Sequence, residues 1–237
     1  MDFWTNLADQ FNQAFIVGDR WILYIQGLGT TLLVTVLALF LGVILGVLVA
    51  VIRAAHDQQK LGRVNPWLSL LNGLCRVYVT VIRGTPMMVQ LLIMYLVIFS
   101  SSRNQIGVAM LAFGINSGAY ASEIIRGGIM AMDPGQMEAG RSLGFSYSST
   151  MRLIIIPQVL KMILPSLGNE LITLLKETSI VTVIGLRDIT KVALLIQGKT
   201  YQAFMPLIAI ALVYLALVML LTWAFSGLER RLRANER

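Results

Sequence analysis

Three glutamates, Glu123, Glu170 and Glu177, lie in stretches of the chain that are otherwise strongly apolar. An ionised side chain at the centre of a membrane helix costs about 2.5–3.5 kcal/mol, so it usually has a partner or a function. Glu170 and Glu177 are seven residues apart, which places both on one helix face with Thr173 between them. Two carboxylates on one face can line a polar cavity and hold a cationic group. We therefore predict that Glu170, Glu177 and Thr173 contact a substrate.

The alternative is that the glutamates hold helices together by pairing with nearby cations. Glu123 fits this structural role best, because Arg126 lies one helical turn further on. We predict that Glu123 pairs with Arg126 or with Arg83. For Glu170 and Glu177 both interpretations stay open. The cations available for such pairing are Lys161, Lys176, Arg76, Arg83 and Arg126.

The surrounding sequence has the composition of a membrane protein. Of its 237 residues 57% are hydrophobic and 13% are charged, and the mean hydropathy is +0.75. A soluble domain is about 45–50% apolar and about 25% charged. The net charge is +7, but the basic residues lie between apolar segments, which argues against a nucleic-acid partner. A single cysteine and a single histidine provide neither a disulfide nor a Cys/His metal site.

A membrane-spanning helix needs about 20 apolar residues. Residues 66–100 are interrupted by Gly84-Thr85-Pro86, and we interpret them as an amphipathic helix followed by a short span. Gln90 and Met87 come just after this break, and we predict that they supply another wall of the substrate cavity. We predict an all-α integral membrane protein, a single transmembrane domain over residues 1–237. Its five spans, or six if 66–100 holds two, are expected at 21–52, 85–99, 105–132, 153–178 and 203–227.

The charges between the spans predict the orientation in the membrane. Segments 53–64, 133–152 and 229–237 together carry nine Lys or Arg residues, and the segments on the opposite side carry five. Because cytoplasmic loops carry the excess of positive charge, we predict an external N-terminus and a cytoplasmic C-terminus. The segment between the third and fourth spans then lies in the cytoplasm.

That cytoplasmic segment predicts a short helix over residues 136–143. Pro134 suits the first turn of such a helix, and Gly144 suits its end. A short helix held between two spans would move with both, so a partner could pull on it. From spacing alone, an ordinary hydrophilic loop is an equally good interpretation.

The motif in this segment resembles a known one. The pattern Glu-Ala-Ala, three residues, Gly, nine residues, Ile, one residue, Leu-Pro is that of the EAA loop of binding-protein-dependent ABC importers. The chain matches it at Glu138, Ala139, Gly144, Ile154 and Pro157, and differs mildly with Gly140 and Ile156.

Further motifs resemble the polar amino acid branch of this family, the histidine, glutamine and arginine permeases. The resemblance covers about residues 27–229. The motifs are Arg83-Gly84-Thr85-Pro86, Gly118-Ala119-Tyr120 through Ile129, Gly168-Asn169-Glu170 and Lys176-Glu177-Thr178-Ser179.

The resemblance implies a type I ABC importer (MetI-like) permease fold in the bacterial cytoplasmic membrane, in contact with lipid. Residues 133–150 would be the coupling loop, and Glu138, Ala139, Gly140, Gly144 and Pro157 would contact a separate ABC ATPase. ATP and Mg would bind to that partner, so this chain is expected to be a transporter subunit without catalytic residues, cofactor or metal. A second permease copy or homologue and an extracytoplasmic amino acid-binding protein would complete the assembly.

The two carboxylates favour a basic amino acid as the cargo of this importer. The same importer class acting on neutral or acidic amino acids or on cystine is an alternative. An ion-coupled secondary transporter is an alternative from another class, although it would have no use for a coupling loop. The sequence does not distinguish a homodimer from a heterodimer.

Overall fold

The computed structural model describes residues 3–59 and 65–234, and every regular element in these ranges is helical. Short π-helical or 3₁₀ segments adjoin several of the α-helices, at Asn12–Ile16, Val17–Asp19, Met94–Ile98, Met151–Ile155 and Thr178–Ile184. Parts of the predicted cytoplasmic segments, residues 60–64 and 235–237, lie outside the described residues. The α-helices are α1 (Phe3–Phe11), α2 (Arg20–Asp57), α3 (Pro66–Gly84), α4 (Met87–Ile93), α5 (Gln105–Met130), α6 (Pro134–Ser142), α7 (Tyr147–Thr150), α8 (Ile156–Glu177), α9 (Ile189–Thr200) and α10 (Phe204–Ala234).

Within the described part of the chain, four helical stretches are long and apolar enough to cross a membrane. A fifth span results if α3 and the helix Met87–Ile98 count as one broken span. The prediction of about five spans is therefore confirmed. The four continuous stretches are Trp4–Asp57, Gln105–Met130, Tyr147–Ile184 and Phe204–Arg231.

The predicted break between α3 and α4 is a sharp bend of 109°. Pro86 has no backbone N–H, and its ring pushes the preceding residue out of the helical region. Thr85 is accordingly extended, with φ −120° and ψ 147°, and α3 ends at Gly84. The bend lets α4 turn back against α5 with Leu91 completely buried.

The fourth span begins earlier than the predicted residue 153. The Ser146 hydroxyl accepts a hydrogen bond from the N–H of Ser149 and starts a helical stretch that continues to Ile184. A π-helical turn at Met151–Ile155 precedes Pro157, and this wider turn accommodates a residue that cannot donate a backbone hydrogen bond.

Helix α9 was not predicted from the sequence. The Asp188 carboxylate caps it by accepting hydrogen bonds from the N–H groups of Thr190 (3.1 Å) and Lys191 (2.9 Å). The buried side chains Ile189, Val192, Ala193 and Ile196 follow helical spacing. This pattern after a capping aspartate was the signal that could have revealed the helix.

Helices α2 and α5 pack against each other more extensively than any other pair of described helices, and glycines permit their close approach. An added Cβ at Gly46 would lie 2.7 Å from the Ala121 Cβ, and one at Gly118 would lie 2.9 Å from the Leu45 Cβ. An added Cβ at Gly114 would lie 2.7 Å from the Leu41 side chain, and one at Gly42 would lie 3.0 Å from the Ser117 Cβ. The interpretation of these glycine pairs as packing sites within the chain is confirmed.

The main buried cluster lies beside this contact, between α2, α4, α5 and the end of the fourth span. Phe113 at its centre is fully buried. By contrast, apolar side chains on the outer faces of α2 and α10 are exposed, among them Phe40, Met219 and Trp223. Such surfaces suit lipid, as expected for a membrane protein.

We expect Gly46→Ala to destabilise the protein by about 1–3 kcal/mol, because the new methyl group overpacks the contact with α5. Gly29→Ala is the matched control, since Gly29 lies on the same helix with open space around it. The control should be neutral or slightly stabilising. Thermal unfolding of both variants in detergent micelles measures the difference, and equal midpoints would contradict the packing assignment.

Candidate functional site

The helix in the polar segment, α6, is confirmed, and it starts at Pro134 rather than at residue 136. The Asp133 carboxylate caps it by accepting a hydrogen bond from the N–H of Gly135 (2.9 Å). At its other end Gly144 has a left-handed backbone with φ 88°, and the N–H of Phe145 donates to the Gly140 carbonyl (3.2 Å). This is the ending that glycine favours, because other residues are strained at positive φ.

The predicted ATPase contacts differ in their exposure. Glu138, Ala139, Gly144 and Pro157 are exposed, so a partner could reach all four. Gly140 is buried, and an added Cβ there would lie 2.5 Å from the Cγ2 atom of Thr150. The difference from the Glu-Ala-Ala pattern at residue 140 therefore has a local reason, which is the close approach of Thr150.

Three apolar side chains beside α6 were missed in the sequence analysis. Leu143 is 78% exposed and Phe145 is 43% exposed between α6 and α7, and Tyr147, the first residue of α7, is 46% exposed. Large apolar residues in the otherwise polar stretch between α6 and the fourth span were the signal for them. These three residues follow α6 in the chain and are called the Leu143–Tyr147 tip.

A cleft of about 740 Å³ separates α6 from the ends of α2 and α5. One bond crosses between these parts: the Tyr147 hydroxyl donates to Oε1 of Gln58 at 2.7 Å. The segment that contains α6 is thus attached both to the fourth span and to the end of α2. The cleft is lined by residues that include Asp57, Gln58, Met132, Asp133, Glu138 and Tyr147.

A chain of ion pairs joins α2 to α5 near this cleft. Glu123 pairs with Arg53 and, at 3.1 Å, with Arg126, and Arg126 also pairs with Asp57 at 3.0 Å. The structural role of Glu123 and its pairing with Arg126 are confirmed. The suggested alternative partner, Arg83, instead lies over the Tyr120 ring, 5.0 Å from its centre.

Glu170 and Glu177 occupy α8, both half-buried, and Thr173 between them is exposed. Glu170 interacts with the hydroxyl of Ser117 on α5 and electrostatically with Glu177 and Arg83. Among the described residues, the ion pairs involve only the residues around Glu123 and none involves Glu170 or Glu177. Lys176, next to Glu177 on the same helix, interacts with it electrostatically, so neither carboxylate forms an ion pair between helices within these residues.

The side chains of Met87 and Gln90 are occupied by contacts within the protein. Met87 is 8% exposed and packs in the Phe113 cluster. The amide of Gln90 bonds to the backbone at the bend and to Asn116. Their contact with a substrate stays a prediction, and either side chain would have to leave these partners to make it.

Comparison with known families identifies the chain. Residues 64–234 match the family model described as "Binding-protein-dependent transport system inner membrane component". The chain belongs to this family. Its all-helical fold is that of the type I ABC importer permeases, and its role is that of a transporter subunit rather than a catalytic one.

Two relatives and one solved structure show the branch of the family. The chain is 44% identical over 162 residues to the arginine transport system permease protein ArtQ of Bacillus subtilis (strain 168), covering 67% of this chain and 74% of the relative. It is 41% identical over 162 residues to the putative glutamine transport system permease protein GlnP of Rickettsia bellii (strain RML369-C), covering 65% and 72%. A crystal structure of an amino acid ABC transporter with histidines superposes with a TM-score of 0.78 at 39% identity, covering 98% of this chain and 99% of that one. This permease is therefore an amino acid ABC importer subunit.

We expect Glu123→Gln to lower the stability of the permease by about 1–3 kcal/mol, because two arginines lose their shared carboxylate in a partly shielded site. Glu229→Gln, which lies outside the ion-pair cluster, is the control and should change stability by less than about 0.5 kcal/mol. Thermal unfolding in micelles compares the two variants. If both behave alike, the cluster does not stabilise the contact between α2 and α5.

Proposed function

We propose that this permease carries basic amino acids into the bacterial cytoplasm and that Glu170 and Glu177 contact the cargo. The observation that carries the proposal is the pair of half-buried carboxylates on one face of α8 that have no cationic partner among the described ion pairs. Such carboxylates in an apolar bundle favour a ligand that supplies the positive charge.

The surroundings of Glu170 suit an amino acid as a whole. Arg83 acts on Glu170 electrostatically, so positive and negative groups border the same region. An amino acid with a basic side chain carries two cationic groups and one carboxylate, which matches two glutamates and one arginine. Exposed Thr173 adds a hydroxyl between the glutamates.

The relatives support a basic cargo without excluding a neutral one. One similar protein is named for arginine, and one similar structure is of a transporter with histidines. Another relative is named for glutamine, which makes a neutral polar amino acid the second candidate. Membership of the binding-protein-dependent family favours ATP-driven import over an ion-coupled secondary transporter.

We expect Glu170→Gln to lower arginine uptake by at least about tenfold, because the neutral amide no longer compensates the charge of the cargo. The measurement is uptake of labelled arginine and glutamine by vesicles that contain the complete transporter. Asp9→Asn, an exposed carboxylate on α1, is the control and should transport normally.

Two results of this experiment would contradict the proposal. Unchanged arginine uptake by Glu170→Gln would remove Glu170 from the substrate site. Uptake of glutamine but not of arginine by the unmodified transporter would assign the neutral cargo instead.

We further propose that α6 docks a separate ATPase, whose ATP-driven closure moves two permease chains between inward-open and outward-open states. Glu138, Ala139, Gly144 and Pro157 would contact the ATPase, while the buried Gly140 would hold the loop in position. The exposed Leu143–Tyr147 tip supports the proposal, because a soluble partner would shield apolar groups that otherwise face water. In this arrangement the N-terminus is external and the C-terminus is cytoplasmic, and an extracytoplasmic binding protein delivers the amino acid.

Gly144→Val should abolish co-purification of the ATPase, because a β-branched residue is strained at φ 88° and would change the end of α6. Gly198→Val is the matched control, since Gly198 also has open space around it but lies on α9. The measured quantity is the amount of ATPase retained per permease after affinity purification. Stoichiometric ATPase on the Gly144 variant would refute docking through this loop.

A further inference from the structure

Gln90 connects three parts of the membrane domain through one amide group. Its Nε2 atom donates to the carbonyl of Ile82 (2.7 Å) at the end of α3. The same atom lies 3.1 Å from the Thr85 carbonyl and 2.8 Å from the Thr85 hydroxyl at the bend. Its Oε1 atom accepts a hydrogen bond from Nδ2 of Asn116 on α5 at 3.1 Å.

The contact with Ile82 replaces a hydrogen bond that the bend removes. In a continuous helix the carbonyl of Ile82 would accept from the N–H of residue 86, and Pro86 has none. The Thr85 carbonyl likewise loses its helical partner, because the N–H groups of Val89 and Gln90 bond to Pro86. An unsatisfied backbone group inside a membrane costs several kcal/mol. The Gln90 amide therefore stabilises the bent form of this span.

The other half of the amide fixes the bend against α5. Asn116 is 7% exposed, and the adjacent carbonyl of Ile115 accepts a hydrogen bond from the Tyr78 hydroxyl of α3 at 2.6 Å. The next residue, Ser117, interacts with Glu170. Residues 115–117 of α5 therefore border both the α3–α4 bend and the Glu170 carboxylate of α8.

We propose that Gln90 is a positioning residue for transport, which holds the α3–α4 bend at a fixed angle and in register with α5. Arg83 at the end of α3 acts electrostatically on Glu170, so a change in the bend changes the spacing of these two charges. This role requires no contact between Gln90 and the cargo. The inference rests on transport by this family and not on which amino acid is carried.

The first test is kinetic and uses Gln90→Met, which keeps the length of the side chain but removes its donor and acceptor. In vesicles containing the complete transporter, the maximal rate of labelled arginine and of labelled glutamine uptake should fall about tenfold, the loss expected for about one good hydrogen bond. The KM for each transported amino acid should stay within about twofold. Gln26→Met, an exposed glutamine on α2, is the control and should leave both values unchanged.

The kinetic outcome separates positioning from substrate contact. A raised KM with an unchanged maximal rate would overturn the proposal and identify Gln90 as a substrate contact. Unchanged kinetics would show that the amide has no role in transport. Should Gln90→Met not assemble, Asn116→Ala removes only the α5 half of the contact and should lower the maximal rate in the same way.

The second test measures the bend itself and needs no cargo. Cys75 is the only cysteine, so Cys75→Ser allows spin labels at Val77→Cys on α3 and Val97→Cys beyond α4, both at exposed positions. Pulsed electron resonance should give one narrow distance distribution in this background. Adding Gln90→Met should broaden or shift the distribution, and adding Gln26→Met should not. An identical distribution with Gln90→Met would overturn the proposal even if basic amino acids prove not to be the cargo.

Discussion

The close approach of α2 and α5 is the constraint on which the other contacts depend. An added Cβ at Gly42, Gly46, Gly114 or Gly118 would come within about 3 Å of the facing helix, so the two backbones lie as close as side chains allow. Because α2 and α5 have little room to slide along each other, α5 keeps a fixed position relative to α2. It carries Phe113 in the main core, Asn116 at the bend, and Glu123 at the end near α6.

Two groups of polar side chains in this bundle bond internally, because hydrocarbon offers no alternative partner. Near the α6 end Glu123 pairs with two arginines, and at the bend the Gln90 amide supplies hydrogen bonds to otherwise unpaired carbonyls. Glu170 and Glu177 differ from both groups, since no ion pair of the described residues includes them. This contrast within one bundle is the physical basis for the proposal that the two carboxylates contact the cargo.

Features that depend on local sequence could be predicted well. The bend follows from Gly84-Thr85-Pro86, α6 follows from Pro134 and Gly144, and the pairing of Glu123 with Arg126 follows from helical spacing. Each of these signals acts within a few residues, so no knowledge of the tertiary fold is needed. The EAA pattern extended this local evidence to the family, which the match over residues 64–234 confirms.

Features that depend on distant residues could not be predicted from the sequence alone. Arg53 pairs with Glu123 across 70 positions, and Gln90 meets Asn116 across 26 positions. The reason for glycine at residue 140 is the close approach of Thr150, which only the structure shows. Helix α9 was missed for a different reason, since its short apolar pattern is interrupted by lysines and lies among segments that were interpreted as external loops.

The continuous helix from Tyr147 to Ile184 has a mechanical consequence. It begins beside α6 and passes Glu170 about 35 Å further along, at 1.5 Å per residue. A stretch of that length that tilts as a unit converts a small rotation into a large displacement of its far end. A tilt of about ten degrees, pivoted at one end, displaces the other by about 6 Å over this length. On the proposed docking through α6, a modest pull there would change the distance between Glu170 and the neighbouring helices.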